Sequence, residues 1–527
     1  MYSGVKTLGA IVQTRADEQP NRKILRFENH TLTYRELDER SNRFANGLAD
    51  LGLTKGDKAG MMLPNCSEFI EAWVGMTKAG VIEVPINTGY KGDLFAYLLN
   101  QAECRTLVIN HDWLNRISSI KNDLETLRHI IVVGGQPTDM PGFETIEFNE
   151  FINASKPSPS KVEVTPFDTS VILFTAGTTG PSKGVVLTHN ANFRLTRNTC
   201  ELMGYGPGEV LFTAFPLFHI NAKYTTVLAA MMIDGEAVLH QSFSASRFWD
   251  ICRAEGVTAI NYMGALLMML HKQPERPDDV DNPVRKAFGA PAPITIYKDF
   301  ENRFGVQLVE VYGMTELGTA TMNTFESFRI GSCGKPVDYY EVEIHDEEDY
   351  PVLPGGEGEI VVRPKEPHVI IEEYYRMPEA TLKAFRNLWF HTGDRGTMDE
   401  DGYFYFVDRM KDAIRRRGEN ISSWEVEKVI TSFEEVQEAG VIGVPSPLTE
   451  EEVMAVVVLK ERMSLTPEEL LDRCQERLPH FAVPRYVRFV KELPKTPAER
   501  IEKYKLRHEG VTPDTWDREE HGYKVKR

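Results

Sequence analysis

The chain has 527 residues, 42% of them hydrophobic and 26% charged, and a formal net charge of -18. That length exceeds what one hydrophobic core usually serves, so a large body and at least one further domain are expected, and the composition excludes a disordered or fibrous chain. The negative charge argues against nucleic acid or anionic lipid as a partner, since both would be repelled.

Cys66, Cys104, Cys200, Cys252, Cys333 and Cys474 are scattered, without a Cys-x-x-Cys pair or metal-ligand spacing, which fits reduced thiols in the cytoplasm. Residues 1–20 mix charges into short apolar patches and show no secretory h-region. The most apolar runs, 224–233 and 262–270, are shorter than the roughly 20 residues that span a bilayer and read as buried helices.

In chain order, residues 31–51 are helical, with Tyr34, Leu37, Phe44 and Leu48 on one face. A strand at 58–63, a helix at 66–78 and a strand at 80–85 follow, and such alternation predicts a parallel sheet with helical crossovers. Residues 154–166, with Pro157, Ser158, Pro159 and Ser160, form a surface linker by composition. Helix and strand then alternate from 185 to about 308, after which the text turns β-rich at 341–344, 358–362 and 403–408. Past Asp412 the pattern returns to helix, strand and helix at 424–433, 439–444 and 453–459, where a second domain is placed. The polar residues 510–527 read as a tail.

The strongest local signal is a buried strand, Val171-Ile172-Leu173-Phe174, running into Thr175-Ala176-Gly177-Thr178-Thr179-Gly180-Pro181-Ser182-Lys183-Gly184. Glycines let backbone N–H groups converge, Thr178 and Thr179 add hydroxyl donors and Lys183 adds positive charge, so the segment suits a polyphosphate. Taken alone, the same text is also an ordinary Gly/Thr turn. It is not the common P-loop, which has Gly before the Lys and Ser or Thr after it, where this chain has Ser182 and Gly184. It resembles instead the signature of the adenylate-forming acyl-CoA synthetase superfamily. It departs at Ala176, where that family more often has Ser, and in the order Pro181-Ser182. The resemblance assigns Thr175, Gly177, Thr178, Thr179, Gly180 and Lys183 to ATP, with Thr178 also toward magnesium and Lys183 among the catalytic groups.

Further segments match the same family in the same order. Gly289-Ala290-Pro291 looks like the adenine-facing turn. Val311-Tyr312-Gly313-Met314-Thr315-Glu316 resembles the next signature, in which Tyr312 stacks on adenine, Thr315 bonds the α-phosphate and Glu316 holds magnesium, with Gly313 and Met314 beside the nucleotide. Magnesium takes hard oxygen ligands and keeps several waters, so one carboxylate plus ATP oxygens is a sufficient site. Trp389-Phe390-His391-Thr392-Gly393-Asp394 resembles the ribose signature and gives Asp394 the two sugar hydroxyls. In Asp408-Arg409-Met410-Lys411-Asp412 the resemblance sends Arg409 to the nucleotide and makes Lys411 a hinge. Arg417-Gly418-Glu419-Asn420-Ile421-Ser422 is similar to the loop that lines the thiol's path, which places Gly418 and Glu419 at coenzyme A.

Residues 493–503 resemble the loop that delivers the family's catalytic lysine, but Glu499 and Arg500 stand at its place. Arg500 supplies a cation, although its planar fork is not interchangeable with an ammonium, and Lys503 and Lys495 are the alternatives. Phe215-Pro216-Leu217-Phe218-His219 resembles the segment beside the carboxylate pocket, with His219 at an aromatic gate and Ala222, Tyr224 and Met263 lining the acyl site. The nearest subgroup looks like the carnitine and crotonobetaine CoA ligases. A quaternary ammonium substrate would need an aromatic cage, for which Phe218, Tyr224 and Tyr262 are the candidates.

The resemblance implies an α/β fold: a large N-terminal body, 1–410, of parallel α/β subdomains plus a β-rich subdomain, with a small mobile α+β C-terminal domain, 411–527. It also implies ATP, magnesium and coenzyme A, and a two-step reaction through an acyl-adenylate. Nucleic acid and an integral membrane segment are not expected, and a homodimer is allowed. The alternatives are an adenylating enzyme that loads a separate carrier protein, and an ATP- or acyl-adenylate-binding protein with weakened chemistry.

Overall fold

The computed structural model describes residues 1–28, 30–175, 181–409, 413–446, 450–495 and 501–526, apart from the side chains at 408, 409, 413 and 504. The helix expected at 31–51 is Tyr34–Asp50. It starts late because Thr31, Leu32 and Thr33 first pair antiparallel with strand Lys23–Phe27, after which Thr33 closes a capping box with Glu36. Tyr34, Leu37, Phe44 and Leu48 are all fully buried. Strands Lys58–Met62 and Ile82–Pro85 flank helix Ser67–Ala79 and pair in parallel, the outcome expected of a helical crossover.

The chain divides into two compact units. The first comprises Met1–Thr88, Leu99–Phe174 and Gly184–Asp408. One sheet runs, in spatial order, through Glu144–Glu147, His129–Val133, Cys104–Asn110, Lys58–Met62, Ile82–Pro85, Thr169–Thr175 and Lys183–Thr188. Successive side chains of Val171 and Ile172 are both fully buried although they point to opposite faces, as in a parallel sheet covered on both sides. A second sheet orders Lys335–Pro336, Gly318–Met322, Gln307–Met314, Lys286–Gly289, Ala259–Tyr262, Val210–Thr213, Glu236–Leu239, Lys23–Phe27 and His30–Thr33. Its central pairs are parallel. The β-rich part is an antiparallel sheet of Tyr340–His345, Glu357–Pro364 and Trp389–Met398, joined by Phe385–Arg386 and Phe404–Arg409.

Two of the apolar runs read as single helices are more complex. Residues 224–233 are a π-helix, Lys223–Leu228, continued by the α-helix Ala229–Ile233. In 262–270, Tyr262 ends strand Ala259–Tyr262, because it pairs with Gly289, and the helix is Gly264–His271.

The second unit joins Gly89–Leu98 and Thr175–Lys183 to Arg409–Arg527. Its sheet orders Val436–Pro445, Glu451–Leu459, Tyr486–Val490 and Trp516–Asp517. Residues 453–459, read from their place in the sequence as a helix, are strand: Val456, Val457 and Val458 are β-branched, buried, and paired with Val436–Pro445. The segment 510–527 is not a free tail. Trp516 pairs with Val487 and Asp517 with Tyr486, Asp517 bonds the Arg485 guanidinium, and Trp516, Tyr523 and Val525 pack on the core of Val426, Ile430, Val441, Val453 and Leu470. Among the described residues no helix is long and apolar enough to cross a membrane, and all six cysteines are free.

Candidate active site

Parallel register sets the first part of the site. Gly289 lies opposite Tyr262 on one side and Glu310 on the other, so the turn at Gly289-Ala290-Pro291 leaves the sheet beside the strand that carries Tyr312. The turn is pinned by a residue the motifs did not single out: the Glu310 carboxylate accepts from the Ala292 N–H at 3.2 Å. Glu310 is only 8% exposed, and its Oε2 is buried without a hydrogen-bond partner among the described residues. Burial pushes its carboxyl up to about 7.

Two motifs distant in sequence meet at Tyr312 and Asp394. The Tyr312 hydroxyl donates to Asp394 Oδ2 at 2.8 Å across 82 residues of sequence. Both side chains are buried, and burial, then the Asp394 charge, pushes the Tyr312 hydroxyl well up. Asp394 is fixed by its own N–H on Thr392 Oγ1 at 3.1 Å, and Thr392 in turn donates to the Ile360 carbonyl at 2.7 Å. Glu359, also unmarked by the sequence, accepts from Gly393 N–H at 2.7 Å and meets His391 at 2.9 Å. A carboxylate has about four acceptor positions, so Asp394 can bond Tyr312 and still receive hydroxyl donors.

Glu316 is buried at 4% exposure. Its Oε1 accepts from the Tyr374 hydroxyl at 2.9 Å, and its carbonyl accepts from Ile371 N–H. Tyr374 is bridged to Val185, two residues beyond Lys183 on the strand Lys183–Thr188. Thr315 and Met314 are half-buried. Gly313 has a structural reason to be glycine besides any ligand, because a Cβ there would lie 1.9 Å from the Gly318 carbonyl oxygen.

His219 is half-buried at the start of the short helix Ile220–Ala222, its ring 4.6 Å from that of Phe218. Just beyond it, the Asn261 amide nitrogen lies 2.8 Å from Asn221 Oδ1, 2.9 Å from Thr225 Oγ1 and 2.8 Å from Thr226 Oγ1. No close ring contact among the described residues joins the three aromatic candidates for a cage. Phe218 lies against His219, Tyr262 donates to the Val309 carbonyl in one hydrophobic cluster, and Tyr224 packs edge-on against Trp73 in another. The Trp73 and Tyr224 faces hold an ammonium already: Lys223, fully buried and ion-paired with Glu83, lies 5.0 and 5.2 Å from their centroids.

In the second unit Gly418 follows Arg417 in a two-residue turn between strands Ala413–Arg416 and Glu419–Ser422. Arg417 and Gly418 both have positive φ, 52° and 84°, the conformation such a hairpin demands. Glu419 is half-buried at the turn's edge. Thr175 and Lys183, which flank the stretch expected to hold phosphate, are half-buried. Ser182 is fully buried, with its carbonyl accepting from Tyr97 at 2.9 Å. Its N–H donates to Glu425 Oε1 at 3.2 Å and its hydroxyl donates to the same oxygen. Lys495 pairs with Glu438 at 2.7 Å. Lys503 pairs with Glu427 at 2.7 Å and donates to Ser423 Oγ at 2.8 Å. Gly177, Thr178, Thr179, Gly180, Lys411 and Arg500 lie outside the described residues, as does the side chain of Arg409.

A family model described as AMP-binding enzyme matches residues 12–375, and one described as AMP-binding enzyme C-terminal domain matches residues 425–500. The crotonobetaine/carnitine–CoA ligase of Salmonella heidelberg (strain SL476) is 35% identical over 486 residues, covering 90% of this chain and 93% of its own. Among solved structures, a double mutant of o-succinylbenzoate CoA synthetase from Bacillus subtilis, bound to a product analogue, is similar with a TM-score of 0.84 and 26% identity, over 96% of this chain and 99% of its own. A Mycobacterium tuberculosis fatty acyl CoA synthetase is similar with a TM-score of 0.69 and 27% identity, over 96% and 98% of the two chains.

Proposed function

Since the chain belongs to the AMP-binding enzyme family and is an ATP-dependent ligase that joins a carboxylic acid to coenzyme A, releasing AMP and pyrophosphate, we propose that its nucleotide lies along Tyr312 and Asp394. The observation that carries this placement is the Tyr312–Asp394 hydrogen bond, which puts an aromatic face and a diol-binding carboxylate side by side. Gly289, Ala290 and Pro291, held by Glu310, face the adenine edge. Gly313, Met314 and Thr315 run from Tyr312 toward the α-phosphate. Thr175, Gly177, Thr178, Thr179, Gly180 and Lys183 cradle the outer phosphates, and Arg409 reaches the nucleotide from the last strand of the β-rich sheet.

The acid's carboxylate attacks the α-phosphorus, forming the acyl-adenylate, and the thiol of coenzyme A then attacks the acyl carbon. Positioning and charge neutralisation carry both steps, so the cationic Lys183 and Arg500 and the polar Thr315 are the groups that matter. Magnesium fits the chemistry of the donor set: Glu316 would offer a hard carboxylate oxygen alongside phosphate oxygens and water, and the ion would supply positive charge there. We further assign residues 1–410 and 411–527 to two domains hinged at Lys411, with Gly418 and Glu419 beside the pantetheine arm.

His219 places the acid near Asn221 and Asn261. The relatives named for crotonobetaine and carnitine act on acids with a quaternary ammonium, but in this chain the Trp73 and Tyr224 faces are taken by Lys223. The reaction therefore carries over more firmly than the acid does, and the amide and hydroxyl groups around Asn261 favour a polar acid without that cation.

The test is Asp394→Ala. It should weaken ATP binding about 30-fold or more, the size of losing hydrogen bonds to a charged group, as measured by calorimetry on the full chain. Unchanged affinity would remove the ribose assignment. Pyrophosphate release across acids of varied length and charge, with and without coenzyme A, identifies the substrate.

A further inference from the structure

The phosphate segment of this chain carries a contact that its own sequence makes possible. Residue 182 is a serine, which brings two donors, a backbone N–H and a hydroxyl; a proline at the same place would bring neither. Both donors converge on one oxygen of Glu425. Glu425 stands in the first turn of helix Ser423–Thr431, whose N-terminus is capped by Ser422 and favours a negative charge. Ser182 is fully buried and its carbonyl is held by Tyr97, so this residue is gripped at all three of its polar groups. Burial raises the Glu425 carboxyl while the two Ser182 bonds lower it, and the net direction is up.

A carboxylate oxygen that receives an N–H and an O–H from a phosphate-binding segment has the bonding of a phosphate oxygen. Resting on the reading of residues 175–184 as the phosphate segment, we propose that Glu425 is a positioning residue that takes the place of a phosphate oxygen on Ser182, so that Glu425 and pyrophosphate compete for the same two donors. When the donors serve Glu425 they cannot serve pyrophosphate, and the helix beginning at Ser423 thereby favours release of that product. Ser182 and Glu425 cluster in one compact unit although the proposed hinge at Lys411 lies between them in sequence, and Glu425 is given no part in bond making.

Magnesium pyrophosphate, titrated into the full chain and followed by calorimetry, tests this without knowledge of the acid. Glu425→Ala should bind pyrophosphate about tenfold more tightly, the size of one or two hydrogen bonds released from competition. Glu425→Gln keeps an acceptor and should fall between Glu425→Ala and the parent. Ser182→Ala in the parent should change affinity about twofold at most, because it removes the hydroxyl from both competitors. In the Glu425→Ala background the same substitution should weaken binding several-fold, and that non-additivity is a readout a merely structural contact would not give. If Glu425→Ala lowers the melting temperature but leaves pyrophosphate affinity unchanged or weaker, the competition is overturned. If the parent and every variant bind no pyrophosphate while ATP still binds, the reading of the phosphate segment falls and the proposal with it.

Discussion

The two units hold their charged candidates in different ways. In the first, Asp394 and Glu316 are buried carboxylates that receive tyrosine hydroxyls, from Tyr312 and Tyr374. In the second, Lys495 and Lys503 are ammonium groups set against the carboxylates of Glu438 and Glu427. A neutral hydroxyl orients a charge and leaves its sign intact, whereas a counter-ion at 2.7 Å largely cancels the field the charge presents to a third group. The tyrosine hydroxyls of the first unit thus orient the carboxylates they meet, and the two lysines of the second are suited to hold their unit together.

That contrast bears directly on which cation serves adenylation. Arg500→Ala should reduce ATP–pyrophosphate exchange about 10²–10³-fold, the loss typical of removing a preorganised charge from a developing anion. Lys503→Ala and Lys495→Ala should each leave exchange within about threefold and show themselves as lower melting temperatures, since each removes the ammonium from a glutamate. Exchange abolished by Lys503→Ala and spared by Arg500→Ala would reverse the comparison and shift the register of the loop by three residues.

How much of this was legible depended on how far apart the partners lie in sequence. The helix at 34–50, expected at 31–51, and the strand at 169–175, expected at 171–174, follow from periodicity and apolar runs, both local, and membership of the family follows from short strings that retain their spacing. Glu310, Glu359 and Tyr374 carry no local mark; each acts on a group 18, 34 or 58 residues away. A carboxylate inside an apolar strand such as Leu308-Val309-Glu310-Val311 was the available signal for Glu310, because burying a charge is costly and demands a reason. The last segment was misread because Trp516, Tyr523 and Val525 are diluted among charged residues, and what folds them is a non-local pairing with Tyr486 and Val487. The strand at 451–459 was misread because a short apolar run has no period that separates strand from helix.

Glu310 sharpens the comparison from the other side, since it is a buried carboxylate held by a backbone N–H. Its proton is retained up to about 7, against 4.5 for an ordinary glutamate. A folded-state value raised above the unfolded one means that stability is fully present below the unfolded value and is lost as pH rises through the folded value. Between pH 4.5 and 7 the parent should therefore lose about 3 kcal/mol relative to Glu310→Gln, which has no proton to release. Thermal unfolding of the two proteins across that range gives the answer, and a constant difference between them would mean that Glu310 is already ionised in the fold.

The smallest effect concerns the hydroxyl on Glu316. Tyr374→Phe removes the bond at 2.9 Å while keeping the ring in the buried apolar cluster that also holds Val185. If Glu316 meets magnesium and the hydroxyl only orients it, the variant should raise the magnesium concentration needed for half-maximal ATP binding about fivefold, the scale of one hydrogen bond to a charged group. Glu316→Gln, which removes the negative charge, should raise it far more, because a neutral amide is a weak ligand for a hard cation. The order of the two variants is what matters. Were Tyr374→Phe as damaging as Glu316→Gln, the hydroxyl itself would be meeting the ligand; were it silent while Glu316→Gln is severe, the carboxylate would be held well enough by the backbone that anchors Glu316 at Ile371.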